Sequence, residues 1–188
     1  MKAKNIILIL IPLNIILGYL IYNSINSEIE FNKNAKIRIT ENVQKLKDLR
    51  QVQIKYKQSK GEFADNFRNL TTFLEKDSIA IIKAIGEVPD SLTETEALAL
   101  EIISRDTTYV LAKESVFDAA YINSRKNDFP LNINELINVP HSDATYSINA
   151  GQIEKGNVIV QVFEISTNYR TVFTGLDAKN KSYELDAL

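Results

Sequence analysis

Residues 6–22 read IILILIPLNIILGYLIY and contain no charged side chain. A short tail with Lys2 and Lys4 precedes them, and the sequence after Tyr22 is polar and charged enough to stay in water. As a helix, these 17 residues at about 1.5 Å each reach about 26 Å, close to the lower limit for crossing a hydrocarbon core. The stretch therefore predicts a cytoplasmic tail and transmembrane anchor over residues 1–23.

The same stretch also fits a cleaved signal peptide, because a basic tail precedes an apolar run. An uncleaved signal-anchor is favoured, since the run is long and residues 23–28 contain no small-x-small cleavage site. Lys2 and Lys4 predict a cytoplasmic N-terminus, and the acidic flank with Glu28 and Glu30 fits a remainder outside the cytoplasm. The expected location is the inner membrane, as a single-pass protein with a periplasmic domain.

Two residues disturb the predicted span. Pro12 lacks a backbone donor and can kink a helix. Asn14 would lie near the middle of the bilayer, where a side-chain amide prefers a hydrogen-bond partner. Asn14 either contacts a helix of another membrane protein or bonds to its own backbone, and both interpretations stay open.

Composition restricts the classes of function. The 22 basic and 24 acidic residues give a net charge of −2, which argues against nucleic acid as a partner. The chain has no cysteine, which excludes disulfides, thiolate metal sites, cysteine nucleophiles and a lipid anchor on cysteine. A length of 188 residues suits one domain beside the anchor and its stalk.

Residues 24–60 are predicted to form a helical stalk, because they contain neither proline nor glycine and Gly61 follows them. Apolar residues recur at steps of three and four, and polar ones between them, Gln44 and Asp48 included, are assigned to a solvated face. The apolar stripe needs a partner: a second copy in a short coiled coil, another envelope protein or the chain's own C-terminal domain. The candidate interaction residues are Asn14 and the stripe, namely Ile39, Val43, Leu46, Leu49, Val52 and Tyr56.

Residues 62–188 are predicted to form a small α+β head with short helices first. One helix is expected over residues 65–76, with Asp65 as its cap, and a short one over residues 133–137. Another is expected from Thr93 to Leu100, where Thr93 and Glu96 have the spacing of a capping box.

A three- to four-stranded antiparallel sheet is expected in the second half of the head. Its predicted strands cover residues 107–111, 144–148, 158–165 and 169–173, while residues 78–86 fit either a strand or a helix end. Turn-forming residues between 149 and 157 predict a hairpin with a long or bulged loop, and residues 127–130 a turn.

Signatures of catalysis are missing from the sequence. It contains no Walker loop, dinucleotide fingerprint or G-x-S-x-G motif, and its one histidine, His141, follows Pro140 in a predicted surface loop. The acidic residues between Glu87 and Glu101 lack the spacing and the glycine of a calcium loop. The chain is therefore predicted not to be an enzyme, with no catalytic residue, cofactor or metal. Eight aromatic residues are assigned to the core: Phe63, Phe67, Phe73, Tyr109, Phe117, Phe129, Tyr146 and Phe163.

Four segments carry a likeness to a known family. They are residues 49–70 (LRQVQIKYKQSKGEFADNFRNL), 88–92 (VPDSL), 103–107 (ISRDT) and 162–164 (VFE). Together they resemble an uncharacterised family of single-span envelope proteins from Bacteroidota, over nearly the whole chain. The resemblance implies an envelope location but brings no activity or site with it.

A second likeness lies in the order of elements: a membrane helix, an amphipathic helix, Tyr56, and then Gly61 and Phe63. This order is similar to the N-terminal part of type IV pilins and pseudopilins, in which an α+β head follows a long helix. The chain departs from their pattern, because residues 6–22 contain no glutamate and no glycine precedes them. The pilin route of leader processing is therefore in doubt, and the likeness is one of architecture.

These observations favour a non-enzymatic, membrane-anchored envelope protein, a structural or protein-interaction component of a membrane complex. The expected partners are the lipid bilayer and other envelope proteins, or a second copy bound through the stalk. One alternative is a pilin-like filament or secretion-system subunit. Another is an anchored ligand-binding domain or unrecognised enzyme, which a polar pocket with carboxylates around Arg105 or His141 would favour.

Overall fold

The computed structural model describes residues 3–125 and 129–176, with side chains from residue 10 onward. It confirms an α+β protein with a long N-terminal helix, α1 (Ala3–Lys60). Residues 127–128 of the predicted turn and the head beyond residue 176 lie outside the described residues. Among the described residues, no helix is long and apolar enough to qualify as a membrane span.

The end of α1 lies where the sequence predicts it. Gly61 has a φ of +86°, and its N–H donates to the Lys57 carbonyl at 2.8 Å. Glycine adopts this left-handed conformation without the steric cost that a Cβ adds, so it ends the helix and redirects the chain.

Nine shorter elements follow α1. They are α2 (Phe67–Lys76), β1 (Ser78–Ile85), α3 (Glu94–Ala99), β2 (Ser104–Leu111), α4 (Ala112–Val116), α5 (Ala119–Ser124), β3 (Ser147–Lys155), β4 (Val158–Ser166) and α6 (Tyr169–Val172). The predicted capping box is confirmed, because Thr93 and Glu96 bond to each other's backbone at the start of α3. The predicted cap of α2 is wrong by one residue: Asn66, not Asp65, accepts from the N–H of Asn69.

The four strands form two separate antiparallel pairs. β1 pairs with β2, from Ser78 opposite Leu111 to Ile85 opposite Ser104, and β3 pairs with β4. The expected single sheet of three to four strands is therefore wrong within the described residues. Alternation of polar and apolar residues indicates a strand, but it does not say which strands pair, because distant parts of the chain decide that.

The predicted strand at residues 169–173 is also wrong. Residues Tyr169–Val172 form the short helix α6, because the Asn168 side chain accepts from the N–H of Thr171 at 2.8 Å and caps it. Residues 133–137 form a turn rather than the expected helix, with a 3.3 Å bond from the Leu136 N–H to the Ile133 carbonyl.

The hairpin of β3 and β4 is tighter than the sequence predicts. Pairing continues to Lys155 opposite Val158, which leaves Gly156 and Asn157 as a two-residue turn, with Gly156 at a φ of +66°. The expected long loop is wrong, because residues 149–155 belong to the strand. Two-residue hairpin turns need a positive φ, which glycine and asparagine supply most readily.

The described chain forms two compact units. The first contains α1 up to Val43, Asn138–Thr145 and the chain from Thr167; the second contains Gln44–Ile137 and Tyr146–Ser166. The predicted domain boundaries at residues 23 and 60 stay predictions.

The core of the first unit is small. Its buried apolar side chains are Phe31, Ala35, Val139, Val172 and Phe173. The rings of Phe31 and Phe173 meet edge to face, with centroids 5.6 Å apart. Arg38 donates to the carbonyls of Val172 and Thr174, so that a cation lies at the C-terminal end of α6, where the helix dipole favours it.

The second unit has the larger core. Its buried apolar side chains are Leu49, Val52, Ala64, Leu70, Phe73, Leu74, Ala97, Ile103, Ala112, Val116, Leu136 and Tyr146. Of the eight aromatic residues assigned to the core, Phe73 and Tyr146 are buried and five are half-buried. The assignment of Tyr109 to the core is wrong, because this residue is 72% exposed on β2.

Candidate interaction surfaces

The apolar stripe of α1 is divided between core and surface. Leu49 and Val52 are buried within the second unit, and the ring of Tyr56 packs edge-on against Phe73 with centroids 5.3 Å apart. Later segments of the same chain therefore cover this part of the stripe. Of the three partners considered for the stripe, this is the chain itself. A coiled coil with a second copy would need Leu49 and Val52 at the surface.

The N-terminal part of the stripe is more accessible. Val43 is 41% exposed, while Ile39 and Leu46 are half-buried. Asn14 donates from Nδ2 to the Leu10 carbonyl at 2.9 Å, so this donor bond is made to its own helix.

The strongest exposed apolar feature of the described residues lies around Asn14. All the large apolar side chains from Leu10 to Tyr22 are between 45 and 69% exposed; they are Leu10, Ile11, Leu13, Ile15, Ile16, Leu17, Tyr19, Leu20, Ile21 and Tyr22. They cover the whole circumference of α1 rather than one stripe. A helix that is apolar all round is stable only inside protein or lipid.

The pair β1–β2 is a second exposed apolar surface. Only Ile79 and Val110, which lie opposite each other at its base, are half-buried; the other residues of both strands are exposed. Exposed apolar side chains lie on both faces of the pair, and others lie in α3 and the segment that follows it: Ile81, Ile82, Ile85, Tyr109, Leu111, Leu98, Leu100 and Ile102. An exposed two-stranded sheet of this kind also presents unpaired edges to other chains.

Asp48 is the centre of a buried polar cluster in the second unit. Its carboxylate is 1% exposed and accepts two hydrogen bonds from Arg125, at 2.8 and 2.7 Å, so that the two side chains form a bidentate ion pair. The hydroxyl of Tyr121 and Nε2 of Gln44 also donate to it, at 2.8 and 3.1 Å. The assignment of Gln44 and Asp48 to a solvated face is therefore wrong.

The surroundings of Asp48 indicate a structural role. Burial raises the pKa of the Tyr121 hydroxyl, as does its bond to Asp48, and the same carboxylate raises the pKa of Arg125. Asp48 accepts four hydrogen bonds and is removed from solvent, as expected of a buried structural ion pair. The cluster ties α5 to α1. The sequence gives no sign of this ion pair, because Arg125 lies 77 residues after Asp48.

Gln53 forms a second buried polar contact. Its Nε2 donates to the Ala64 carbonyl at 2.8 Å, and its Oε1 accepts from the Ala64 N–H at 3.0 Å. One side-chain amide thus satisfies both backbone groups of a buried residue, and this holds the connection between α1 and α2 against α1.

His141 and Arg105 each pair with one carboxylate. His141 has a φ of +62° and its Nε2 lies 2.8 Å from Oε2 of Glu41, in the first unit. Arg105 on β2 pairs with Glu94 on α3 in the second. Within the part of the chain that the structure describes, no three acidic or histidine side chains converge to hold a metal ion.

Comparison with known proteins adds no relative. The chain matches no protein-family model, no curated protein and no solved structure. Its membership of the Bacteroidota envelope family and its likeness to pilins therefore stay predictions.

Proposed function

We propose that this chain is a non-enzymatic, membrane-attached component of an envelope complex. In this proposal α1 holds the protein at a lipid bilayer through residues 6–22, and the remainder binds other proteins. The observation that carries the proposal is the exposure of the apolar side chains from Leu10 to Tyr22 on all sides of α1. Burying one such side chain is worth about 1.5–3 kcal/mol, so ten of them strongly favour a lipid environment.

The orientation follows from the flanking charges. Lys2 and Lys4 favour a cytoplasmic N-terminus, which directs the chain after Tyr22 into the periplasm of a bacterium. The absence of cysteine agrees with a domain that folds there without disulfides.

Binding of other proteins is supported by the surface of β1–β2. Its exposed isoleucines and Tyr109 form an apolar patch on a short sheet, and such patches mark interaction sites on many proteins. By contrast, Asp48 is buried and accepts four hydrogen bonds, and Glu41 pairs with His141, so these carboxylates are engaged in structural contacts.

Membrane attachment is tested by fractionation of cells that make the full chain. The protein should stay with the membranes after a carbonate wash, and Leu13→Lys with Ile16→Lys should release it, because each lysine costs about 3 kcal/mol at the centre of a span. Leu13→Ile with Ile16→Leu is the matched control and should stay attached. Recovery of the unchanged protein in the soluble fraction would overturn the proposal.

The interaction role is tested by purifying the tagged protein from detergent-solubilised membranes. Companion proteins should be recovered, and Ile82→Thr with Tyr109→Thr should lose them, because these changes keep strand propensity but remove the apolar patch. Ile159→Thr, at an exposed position of β4, is the control. A protein that is always recovered alone would contradict the role.

A further inference from the structure

Asn14 lies at the midpoint of residues 6–22, and its side chain is only partly bonded within the chain. Its Nδ2 donates to the Leu10 carbonyl at 2.9 Å, which uses one of the two N–H groups of the amide. Within the described part of the chain, no group donates to its Oδ1. One donor and the acceptor of this amide are therefore left for a partner outside α1.

The position of Asn14 makes such a partner valuable. In the proposed span it lies about 12 Å from either end, since each helical residue rises about 1.5 Å. A lipid tail offers no hydrogen bond, so an amide that faces lipid at this depth keeps an unsatisfied acceptor. A second membrane helix with a donor and an acceptor at the same depth would satisfy it.

Gly18 lies one turn after Asn14, on the same face of α1. No heavy atom is within 4 Å of the position that a Cβ would take at Gly18. Glycine destabilises a helix interior relative to alanine, and no contact among the described residues requires it here. In membranes, a glycine at such a position lets the backbone of a second helix approach closely.

Both residues belong to a stripe with the spacing of a helix pair. Ile11, Asn14, Gly18, Ile21 and Ile25 follow one another at steps of three, four, three and four, and we call them the membrane seam. Its three isoleucines are between 56 and 60% exposed. In paired helices, a single asparagine within such a seam fixes the register and the number of helices.

The chemistry of the amide favours an identical helix as the partner. An amide both donates and accepts, so two Asn14 side chains can bond to each other reciprocally across a twofold axis. Two copies with the proposed topology lie parallel and carry Asn14 at the same depth. This register also brings Gly18 of one copy next to Gly18 of the other.

We propose that two copies of this chain associate within the bilayer through the membrane seam. Reciprocal hydrogen bonds between the Asn14 side chains hold the parallel pair, and the backbones approach each other at Gly18. This pairing rests on the proposed membrane attachment, and it identifies a second copy as one of the protein partners.

Cysteine cross-linking of the full chain in isolated membranes tests the pairing, because the chain has no cysteine of its own. Ile21→Cys and Ile25→Cys lie in the membrane seam, whereas Ile16→Cys and Leu20→Cys lie on the opposite side of α1. Copper phenanthroline should convert the two seam variants into disulfide-linked dimers and leave the other two monomeric on a nonreducing gel. Equal cross-linking on both sides, or none, would overturn the proposal. So would a seam product that contains a different protein.

Variants in the Ile21→Cys background test the two residues that define the membrane seam. Asn14→Leu removes the reciprocal bonds and should lower the dimer fraction about threefold to thirtyfold, the range that interhelical hydrogen bonds give. Asn14→Gln keeps the amide and should retain most of the dimer. Gly18→Leu separates the backbones and should also lower the dimer fraction, while Ile16→Leu, on the opposite side, should leave it unchanged. Unchanged cross-linking in Asn14→Leu and Gly18→Leu would contradict the pairing.

Fractionation separates this pairing from the attachment itself. Asn14→Leu and Gly18→Leu make the span more apolar, so both should stay in carbonate-washed membranes while the dimer is lost. A membrane-bound chain without seam cross-links overturns the pairing and leaves the attachment standing. Recovery of the unchanged protein in the soluble fraction overturns both.

Discussion

Asp48 shows how one side chain joins distant parts of the second unit. It lies in α1, and its carboxylate accepts bonds from α5 and from Arg125, which follows α5. A buried carboxylate is tolerated only when a cation and hydrogen-bond donors compensate for the loss of water. Here both are present, so the contribution of Asp48 depends on all of its partners.

Removal of this carboxylate should be severe. Asp48→Ala leaves Arg125 buried without its counter-ion and should lower the free energy of unfolding by about 3–5 kcal/mol. Denaturant unfolding of the full chain in detergent measures the change. Asp48→Leu combined with Arg125→Met should recover most of the loss, because it removes both charges. Glu154→Gln is the surface control, and a loss of less than about 1 kcal/mol in Asp48→Ala would contradict the structural role.

The raised pKa of Tyr121 predicts that the folded protein loses stability at high pH. Its pKa is raised in the folded protein by burial and by the bond to Asp48, so the folded state keeps a proton that the unfolded state releases above pH ~10. Stability is therefore complete below that pH and falls as the pH rises beyond it, by at most about 1.4 kcal/mol per pH unit.

Denaturant unfolding between pH 9 and 11.5 measures this loss. Tyr121→Phe should remove the contribution of about one proton from the slope of unfolding free energy against pH. Tyr109→Phe, a change at an exposed side chain, should leave this slope unchanged. An equal slope in Tyr121→Phe and in the unchanged protein would show that the hydroxyl is not responsible.

At the scale of elements, the pair β1–β2 depends on a close backbone approach at the end where β1 stops and β2 begins. Gly86 directly follows β1 and has a φ of +96°. A Cβ at this position would lie 2.6 Å from the Ile102 carbonyl oxygen, which is a backbone atom that cannot move aside alone. The sequence shows a glycine after an apolar run, but not the atom that makes glycine necessary.

Gly86→Ala should therefore destabilise this end of the second unit by more than the left-handed conformation costs. That cost is about 1–2 kcal/mol. Gly156→Ala is the matched control, because Gly156 also has a positive φ but its Cβ would meet nothing within 4 Å. Denaturant unfolding should rank Gly86→Ala as the larger loss. Equal losses would mean that the backbone adjusts around Ile102.

At the scale of the whole molecule, the buried cores begin well after the exposed apolar part of α1. Among the side chains that the structure describes, the first buried apolar one is Phe31, and the cores of both units draw on residues from there to Phe173. The apolar side chains from Leu10 to Tyr22 therefore contribute to the proposed attachment rather than to either core.

A chain that begins at residue 24 should keep both cores and lose the need for detergent. We expect its thermal unfolding midpoint to be the same with and without detergent, whereas the full chain should aggregate when detergent is removed. Light scattering and circular dichroism during heating measure both effects. Loss of the unfolding transition in the shortened chain would show that residues 1–23 stabilise the fold itself.

The sequence alone determined the features that depend on neighbouring residues: the long helix α1, its end at Gly61, the capping box of α3 and the existence of the hairpin β3–β4. Each rests on interactions within a few residues, which a linear pattern records. The tertiary structure decided which strands pair and why Asp48 is buried and Tyr109 exposed. These outcomes depend on groups that are far apart in the chain, and burial and pairing between such groups are settled only when the chain packs.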